Sequence, residues 1–512
     1  MRTRAHDLPL PVILMAIGAA AMLVPAAHGF ATGDDRVGRA FLYSGGGFLL
    51  VAAMVGVATA GYRPRDAVRS QLNALVGAYL LLPLMLAVPM AEAVPDTTFH
   101  NAWFEMVSSF TTTGATLYDA PDRLPASVHL WRASVGWLGG FFVLVTAAAI
   151  LAPLNLGGFE VLSPATVGLN ARSRGPIDRR ADPTERLVHH TLVLAPVYGA
   201  ITLALWVGLL IAGDRPLVAL CHAMGTLSTS GISPVGGLAG GASGLAGEAL
   251  VFLGLLFAVT RRSMPGSVRV DRAEPIWRDP EVRLAATFVV LVPLALFVRH
   301  WLGAITEDRP DSLATSVAAL WGSAFTVLSF LTTTGFESAG WTEARIWSGI
   351  EAPGLLLLGL AMMGGGVATT AGGVRLLRVY ALFRHGQREM ERMVHPRSVG
   401  GDGPQRRRLR NEGAYLAFIA FMLFALSLGV INMALALGGL EFERALVLSV
   451  GALTTTGQLA GLAVPPVAGA LAPQGWGGLD APLKTVLALA MILGRLETLA
   501  LLVLLVPPSW RR

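Results

Sequence analysis

Thr111-Thr112-Thr113-Gly114 returns along this chain as Ser228-Thr229-Ser230-Gly231, Thr332-Thr333-Thr334-Gly335 and Thr454-Thr455-Thr456-Gly457. By subtraction of residue numbers, the four glycines lie 117, 104 and 122 residues apart. One such turn means little, because hydroxyl–glycine turns end many helices. Four at near-regular spacing mark an internal repeat. Each closes an apolar stretch little longer than a short helix, at 99–113, 216–230, 316–334 and 442–456. These stretches are too short or too polar to cross a bilayer, and longer apolar runs flank them.

The rest of the chain fits that reading. Of 512 residues, 54% are hydrophobic and only 14% charged, with a mean hydropathy of +0.60, so the class is multi-span membrane protein. A spanning helix needs roughly 17–25 mostly apolar residues. Runs at 8–28, 41–60, 72–90, 130–151, 187–211, 284–301, 353–374, 415–437 and 483–506 qualify, and 248–260 is marginal. Arg2 and Arg4 before the first run, and Ala26-Ala27-His28-Gly29 at its end, resemble a signal peptide, but its length reads as a retained span. Cys221 is the one cysteine, which excludes an intramolecular disulfide and a thiolate metal cluster. The net charge of +6 sits largely on arginines at the ends of apolar runs, which argues against nucleic acid as a partner.

Basic residues concentrate in alternate segments: the N-terminus, 61–70, 155–186, 261–283, 375–410 and the C-terminus. The positive-inside rule faces these to the cytoplasm. The alternation works only if each short stretch enters the membrane and returns on the outer side. The expected fold is therefore an all-α integral membrane protein with four pseudo-symmetric helix–pore-loop–helix repeats around one central pore, preceded by two extra transmembrane helices. The divisions fall at 1–68 (leading helices), 69–186, 187–280, 281–411 and 412–512. A multi-pass membrane protein is expected.

Irregular backbone at membrane depth is tolerated only inside protein or beside water. Carbonyl oxygens at such a place can replace an ion's hydration shell. Glycine permits the dihedrals that point carbonyls inward, and hydroxyls add neutral oxygens. The candidate ligands are Thr112, Thr113, Gly114, Thr229, Ser230, Gly231, Thr333, Thr334, Gly335, Thr455, Thr456 and Gly457. Neutral oxygens suit a large monovalent cation better than Mg²⁺, which keeps its waters. Glu337, two residues beyond Gly335, either concentrates cations at the outer mouth or is a solvated loop acid.

Two further features interrupt the spans. From Gly364 to Gly373 there are five glycines in ten residues, each weakening a helix by about 0.8–1 kcal/mol against alanine. This is either an irregular loop lining a cavity or a close-packing glycine face. Arg495 lies near the middle of the last run, where an arginine costs about 2.5–3.5 kcal/mol and must face inward with partners. The expected partners are glycine-loop carbonyls or the negative ends of the short helices, with Glu497 on another side. Glu105 and His222, on the first two short helices, read as packing or capping residues. No His-Glu-x-x-His, intramembrane aspartate pair or nucleophile–base motif is present, so an enzyme is not expected.

Specific residues add a resemblance. They are Cys221-His222, Val394-His395-Pro396, Gly494-Arg495-Leu496-Glu497, and Trp131-Arg132 with Trp137-Leu138-Gly139-Gly140. On these and the four turns the chain resembles the Trk/Ktr/HKT potassium-transport superfamily, and its C-terminal half the bacterial TrkH branch. The resemblance implies potassium uptake through a four-turn filter, with K⁺ both transported and filter-bound and no covalent cofactor. It also implies an intramembrane gating loop carrying Gly364, Gly365, Gly366, Thr369, Thr370, Gly372 and Gly373, with Arg495 at the gate. It implies a homodimer controlled by a cytosolic nucleotide-binding ring of the RCK/KTN type. In that family serine at the first filter glycine favours sodium in some plant members; glycine stands at all four positions here. A sodium-selective or sodium/proton-coupled symporter of the same superfamily is the alternative. The fourth turn departs from the pattern: it continues as Gln458, where related chains often carry an asparagine-rich turn.

Overall fold

The computed structural model describes residues 8–61, 67–161, 183–263, 275–304, 313–341, 344, 353–395, 404–463 and 475–497, and among them there is no β-strand. Arg2, Arg4, Pro396, most of the 401–404 linker and the end of the last apolar run lie outside the described residues. Two leading helices, α1 (Leu10–Ala31) and α2 (Asp35–Ala58), are followed by α3 (Ala67–Ala93), α4 (Phe99–Phe110) and α5 (Ala126–Leu154). Next come α6 (Pro183–Ile211), α7 (Pro216–Leu227) and α8 (Gly244–Ala258). They are followed by α9 (Pro280–Ala304), α10 (Leu313–Leu331), α11 (Pro353–Met363) and α12 (Leu376–Val394). The chain then forms α13 (Pro404–Leu437), α14 (Phe442–Leu453), the short α15 (Leu459–Ala463) and α16 (Ala481–Leu496). The order long helix, short helix, hydroxyl turn, helix thus occurs four times.

Local chemistry sets the boundaries. Proline occupies a first-turn position in α7 and α16, where its missing N–H costs nothing. Thr98 caps α4 by accepting from the Asn101 amide at 3.3 Å, and Asp34 caps α2 by accepting from Val37 at 3.2 Å. Pro83, Pro89, Pro196 and Pro293 lie inside long helices, which membrane helices tolerate when neighbours satisfy the freed carbonyls.

Seven of the described helices are long and apolar enough to span. Two of the nine apolar runs differ for identifiable reasons. The run at 353–374 ceases to be helical after Met363, where the glycines begin, and the run at 483–506 is described only to Glu497. Helix α5 is 78% buried, whereas the spans Pro280–Arg299 and Gly413–Leu437 are only 22% buried. The first therefore stands inside the bundle, and the other two present Val290, Leu291, Tyr415 and Leu426 outward as a lipid-facing surface. Side chains from α1–α5 join those of α13, α14 and α16 in one buried cluster around Phe41, Trp131 and Met491. A second cluster gathers α6–α12 around Phe325, Phe330 and Trp341. The four hydroxyl turns lie where these two halves meet.

Candidate functional site

All four turns obey one local scheme. The first hydroxyl of each bonds back to the carbonyl four residues earlier: Thr111 to Val107 (2.7 Å), Ser228 to Met224 (2.7 Å), Thr332 to Leu328 (2.9 Å) and Thr454 to Val450 (2.8 Å). This ends the short helix without wasting its last carbonyls. The next residue takes the left-handed conformation every time, with φ of 57° at Thr112, 53° at Thr229, 57° at Thr333 and 56° at Thr455. Threonine rarely adopts that region, so four occurrences at equivalent places mark a built feature. The third residue's amide then bonds back to the helix, as Thr113 does to Ser108 (2.8 Å) and Ser230 does to Gly225 (2.9 Å). Gly114, Gly231 and Gly335 follow at φ of 70°, 60° and 78°.

The turns close on one another in a ring. A Cβ built on Gly114 would strike the Ser230 carbonyl oxygen, and one on Gly231 would strike that of Thr334. One on Gly335 would lie 2.8 Å from Gln458 Oε1, and the Gly457 amide donates to the Thr113 carbonyl at 2.7 Å. Turn one thus touches two, two touches three, three touches four and four touches one. The C-terminal, partially negative ends of α4, α7, α10 and α14 all meet at this ring, a field that favours a cation. The Thr112 and Thr455 hydroxyls are buried and make no hydrogen bond among the described residues.

The fourth turn corrects one expectation. Gly457 is not left-handed; its carbonyl accepts from the Trp476 indole at 2.9 Å. Glycine is still required there, because a Cβ would lie less than 3 Å from backbone atoms of Gly114 and Ala115. Gln458 instead reaches the ring, its Nε2 donating to the carbonyls of Gly231 (2.8 Å), Ser230 (3.3 Å) and Gly114 (3.4 Å).

Buried struts hold the outward strands behind the turns. Glu105 on α4 accepts from the Leu117 amide (2.6 Å) and the Thr116 hydroxyl (3.0 Å), and its other oxygen pairs with Arg132 of α5 at 2.8 Å. His222 on α7 bonds Ser233 at 2.9 Å and lies 3.5 Å from Asp214. Burial pushes the Asp214 carboxyl up, but bonds from His222, Ser243 and Ala242 outweigh it and hold the group below its usual range. In the third repeat Thr326 Oγ1 accepts from the Ser338 amide at 3.5 Å, while Glu248 of α8 accepts from Ser338 (2.8 Å), Ala339 (2.8 Å) and Trp321 (2.9 Å). Glu337 is part-buried beside this strand.

Beneath the ring, residues 364–375 form a non-helical loop with left-handed backbone at Gly364, Ala368, Gly373 and Arg375. The loop touches three turns from below. The Gly372 amide donates to Thr333 Oγ1 at 2.7 Å, Thr370 donates to the Leu227 carbonyl at 3.1 Å, and a Cβ on Gly372 would overlap Thr454 and Thr455. Gly365 and Gly366 lie against the backbone of residues 258–260, and Thr369 bonds within the loop to Gly366 at 2.7 Å. The Val367 amide is anchored on Glu281 at 2.8 Å.

Arg495 aims its Nη1 at the Ala371 carbonyl, 3.5 Å away, and Arg375 also donates to that oxygen. Arg495 Nε and Nη2 make no hydrogen bond among the described residues. Glu497 does not point away from this region. Helix α16 ends at Leu496, and a φ of 61° turns Glu497 back toward Arg378 (2.8 Å) and Arg375 (3.5 Å). Arg378 also binds Glu160 at 2.6 Å. Three guanidinium groups and two carboxylates leave one net positive charge in this cluster.

A protein-family model for TrkH, described as a cation transport protein, matches residues 250–511, a little over half of the chain. The chain belongs to the TrkH family. Over 81% of its length this TrkH-family chain is 27% identical to the Trk system potassium uptake protein TrkH of Vibrio parahaemolyticus, covering 81% of that relative. It is 28% identical to the Escherichia coli TrkH over 81% of this chain and 80% of the relative. Against TrkG of the same organism it is 26% identical, over 85% and 84%. The crystal structure of the potassium transporter TrkH from Vibrio parahaemolyticus superposes with a TM-score of 0.76 over the whole of both chains at 25% identity. Membership in a family of cation transporters sets an enzymatic role aside.

In this TrkH-family chain the residues that sequence reasoning undervalued are the struts. Glu105 and His222 each stand nine residues before a turn glycine (114 − 105 and 231 − 222), as does Thr326 before Gly335. Setting the repeats in register exposes that column of polar residues on otherwise apolar helices. Nothing local announces Glu160, Glu248 and Glu281 as partners of Arg378, Ser338 and Val367, because those residues lie far along the chain.

Proposed function

We propose that this chain takes up potassium across the cytoplasmic membrane of a bacterium, the ring of four turns acting as its selectivity filter and residues 364–375 as its gate. The observation that carries the reading is the closed contact cycle of the turns. Four glycine corners and their neutral oxygens, with short-helix ends aimed at them, offer a substitute for a monovalent ion's hydration shell. Curated relatives over four-fifths of the chain are potassium uptake proteins.

Ions pass inward through the ring and meet the glycine loop, which is hydrogen-bonded to Thr333. Conduction then requires the loop to move away from the turns. The net positive charge of the Arg375, Arg378, Arg495, Glu160 and Glu497 group raises a barrier to cations below it. The pore repeats run over 69–186, 187–280, 281–411 and 412–512. The active unit is a homodimer, and a cytosolic nucleotide-binding ring docks on α12, whose Phe383, Met390, Met393 and Val394 are exposed. That the relatives are named as parts of a Trk system supports a regulatory partner.

The test is potassium uptake in a strain lacking its own potassium import, with wild type, Gly114→Ser and Gly335→Ser compared in K⁺ and Na⁺. Both substitutions place a Cβ at positive φ inside the ring, and both are expected to lose the preference for K⁺. Unchanged preference in both variants would refute the assigned filter.

A further inference from the structure

Gln458 bridges three of the turns by its side chain. Its backbone is fixed: Trp476 holds the Gly457 carbonyl, the Leu459 amide bonds Thr456 at 3.2 Å, and α15 begins at once. Its side chain is held differently. Nε2 donates to carbonyls of the first two turns at 2.8, 3.3 and 3.4 Å, two hydrogens shared among three acceptors. Oε1 lies against Gly335 of the third turn and has no hydrogen-bond partner among the described residues. Among the described residues, the carboxamide's hydrogen bonds all go to the carbonyl oxygens of Gly114, Ser230 and Gly231.

An amide NH₂ presents partial positive charge and no acceptor. It satisfies carbonyl oxygens in the way a desolvated cation does, and it does so on a tether. Two turns thus contribute acceptors to the amide, while the fourth contributes the donor.

We propose that the Gln458 carboxamide is a built-in competitor for the outermost cation site, which an arriving ion occupies by displacing Nε2 from the carbonyls of Gly114, Ser230 and Gly231. This rests on the filter reading above. Withdrawal of the side chain breaks only hydrogen bonds that the ion replaces, so the amide weakens the apparent affinity without blocking conduction. The residue then sets the external concentration at which uptake begins to saturate.

The experiment uses the full chain in proteoliposomes, with Rb⁺ or K⁺ uptake measured against external concentration. Removing the competitor with Gln458→Ala is expected to lower the half-saturating concentration three- to tenfold with no fall in maximal rate. Gln458→Lys replaces the amide with an ammonium, a stronger competitor, and is expected to slow uptake at least tenfold at low K⁺, with relief at high K⁺. A half-saturating concentration that is unchanged or raised in Gln458→Ala, or uptake by Gln458→Lys equal to that of Gln458→Ala, overturns the proposal. If the alanine variant does not yield folded protein, Gln458→Asn shortens the reach by one methylene and should show the same fall. K⁺ protection against thermal unfolding in detergent provides a second readout and should appear at lower K⁺ in the shortened variants. Gly335→Ser, run in parallel, separates the two readings. Loss of K⁺ preference there with no effect at Gln458 sinks the competitor alone, and no effect at either position sinks both.

Discussion

Gly372→Ala tests whether the loop rests directly on the ring. Gly372 does not have positive φ, so alanine brings no backbone strain, only a methyl group. That methyl would overlap the Thr454 carbonyl oxygen and the Thr455 hydroxyl and lie 3.0 Å from the Thr454 carbonyl carbon. Overpacking of this kind costs about 1–3 kcal/mol. The 2.7 Å bond from the Gly372 amide to Thr333 is given up on displacement with glycine or alanine alike, so it drops out of the difference. That roughly 1–3 kcal/mol shifts the balance from the seated loop toward a displaced one, about 5- to 140-fold in the equilibrium at tenfold per 1.4 kcal/mol. In proteoliposomes without any regulatory subunit, Rb⁺ flux is expected to rise at least about fivefold. Gly359→Ala is the control: nothing lies within 4 Å of its added Cβ, and its flux should match wild type. Folded Gly372→Ala protein with unchanged or reduced flux would show that the loop is not the barrier.

Arg495→Ala removes a unit charge below the ring, worth about 2 kcal/mol at roughly 10 Å and an effective dielectric of 20, so flux without a regulator should rise several-fold; loss of expression in place of faster flux would make its role structural. Glu105→Gln leaves Arg132 buried without its ion pair, a loss of about 3–5 kcal/mol, and should lower the midpoint of thermal unfolding in detergent sharply, whereas Glu105→Gln combined with Arg132→Met should recover much of it. Asp214 is held below its usual range, and a depressed carboxyl contributes stability that is present above its unfolded pKa of about 3.9 and lost as pH falls through the folded value. Thermal stability should therefore be insensitive to this group from pH 7 to 5 and decline below about pH 4, and Asp214→Asn should flatten that acid limb; an Asp214→Asn profile that superposes on wild type contradicts the assignment.

Much of the architecture is written locally. Apolar runs of spanning length, basic residues on alternate sides and four hydroxyl–glycine turns require a helical membrane protein with four re-entrant elements, because a bilayer leaves unpaired backbone no other place. The break after Met363 is equally local, since glycine after glycine cannot sustain a helix. The family likeness rests on such short motifs, and they suffice for it.

The site's workings are not local. Gly457 carries the same four-residue signature as its counterparts, yet Trp476 and Thr113 impose another conformation on it. Glu497 is two residues from Arg495 in a helical reading, but the helix ends and the carboxylate turns toward Arg378, 119 residues away. Gln458 reads as a variant residue after a turn until carbonyls 227, 228 and 344 residues distant surround its amide. Sequence by itself determined which segments cross, which re-enter and where the backbone is irregular, since hydrophobicity and dihedral freedom belong to single residues and their neighbours. Only the tertiary structure decided which buried charges pair and which side chain bridges the turns. Those outcomes depend on distances between repeats, and burial makes each group find whatever partner the fold brings within reach.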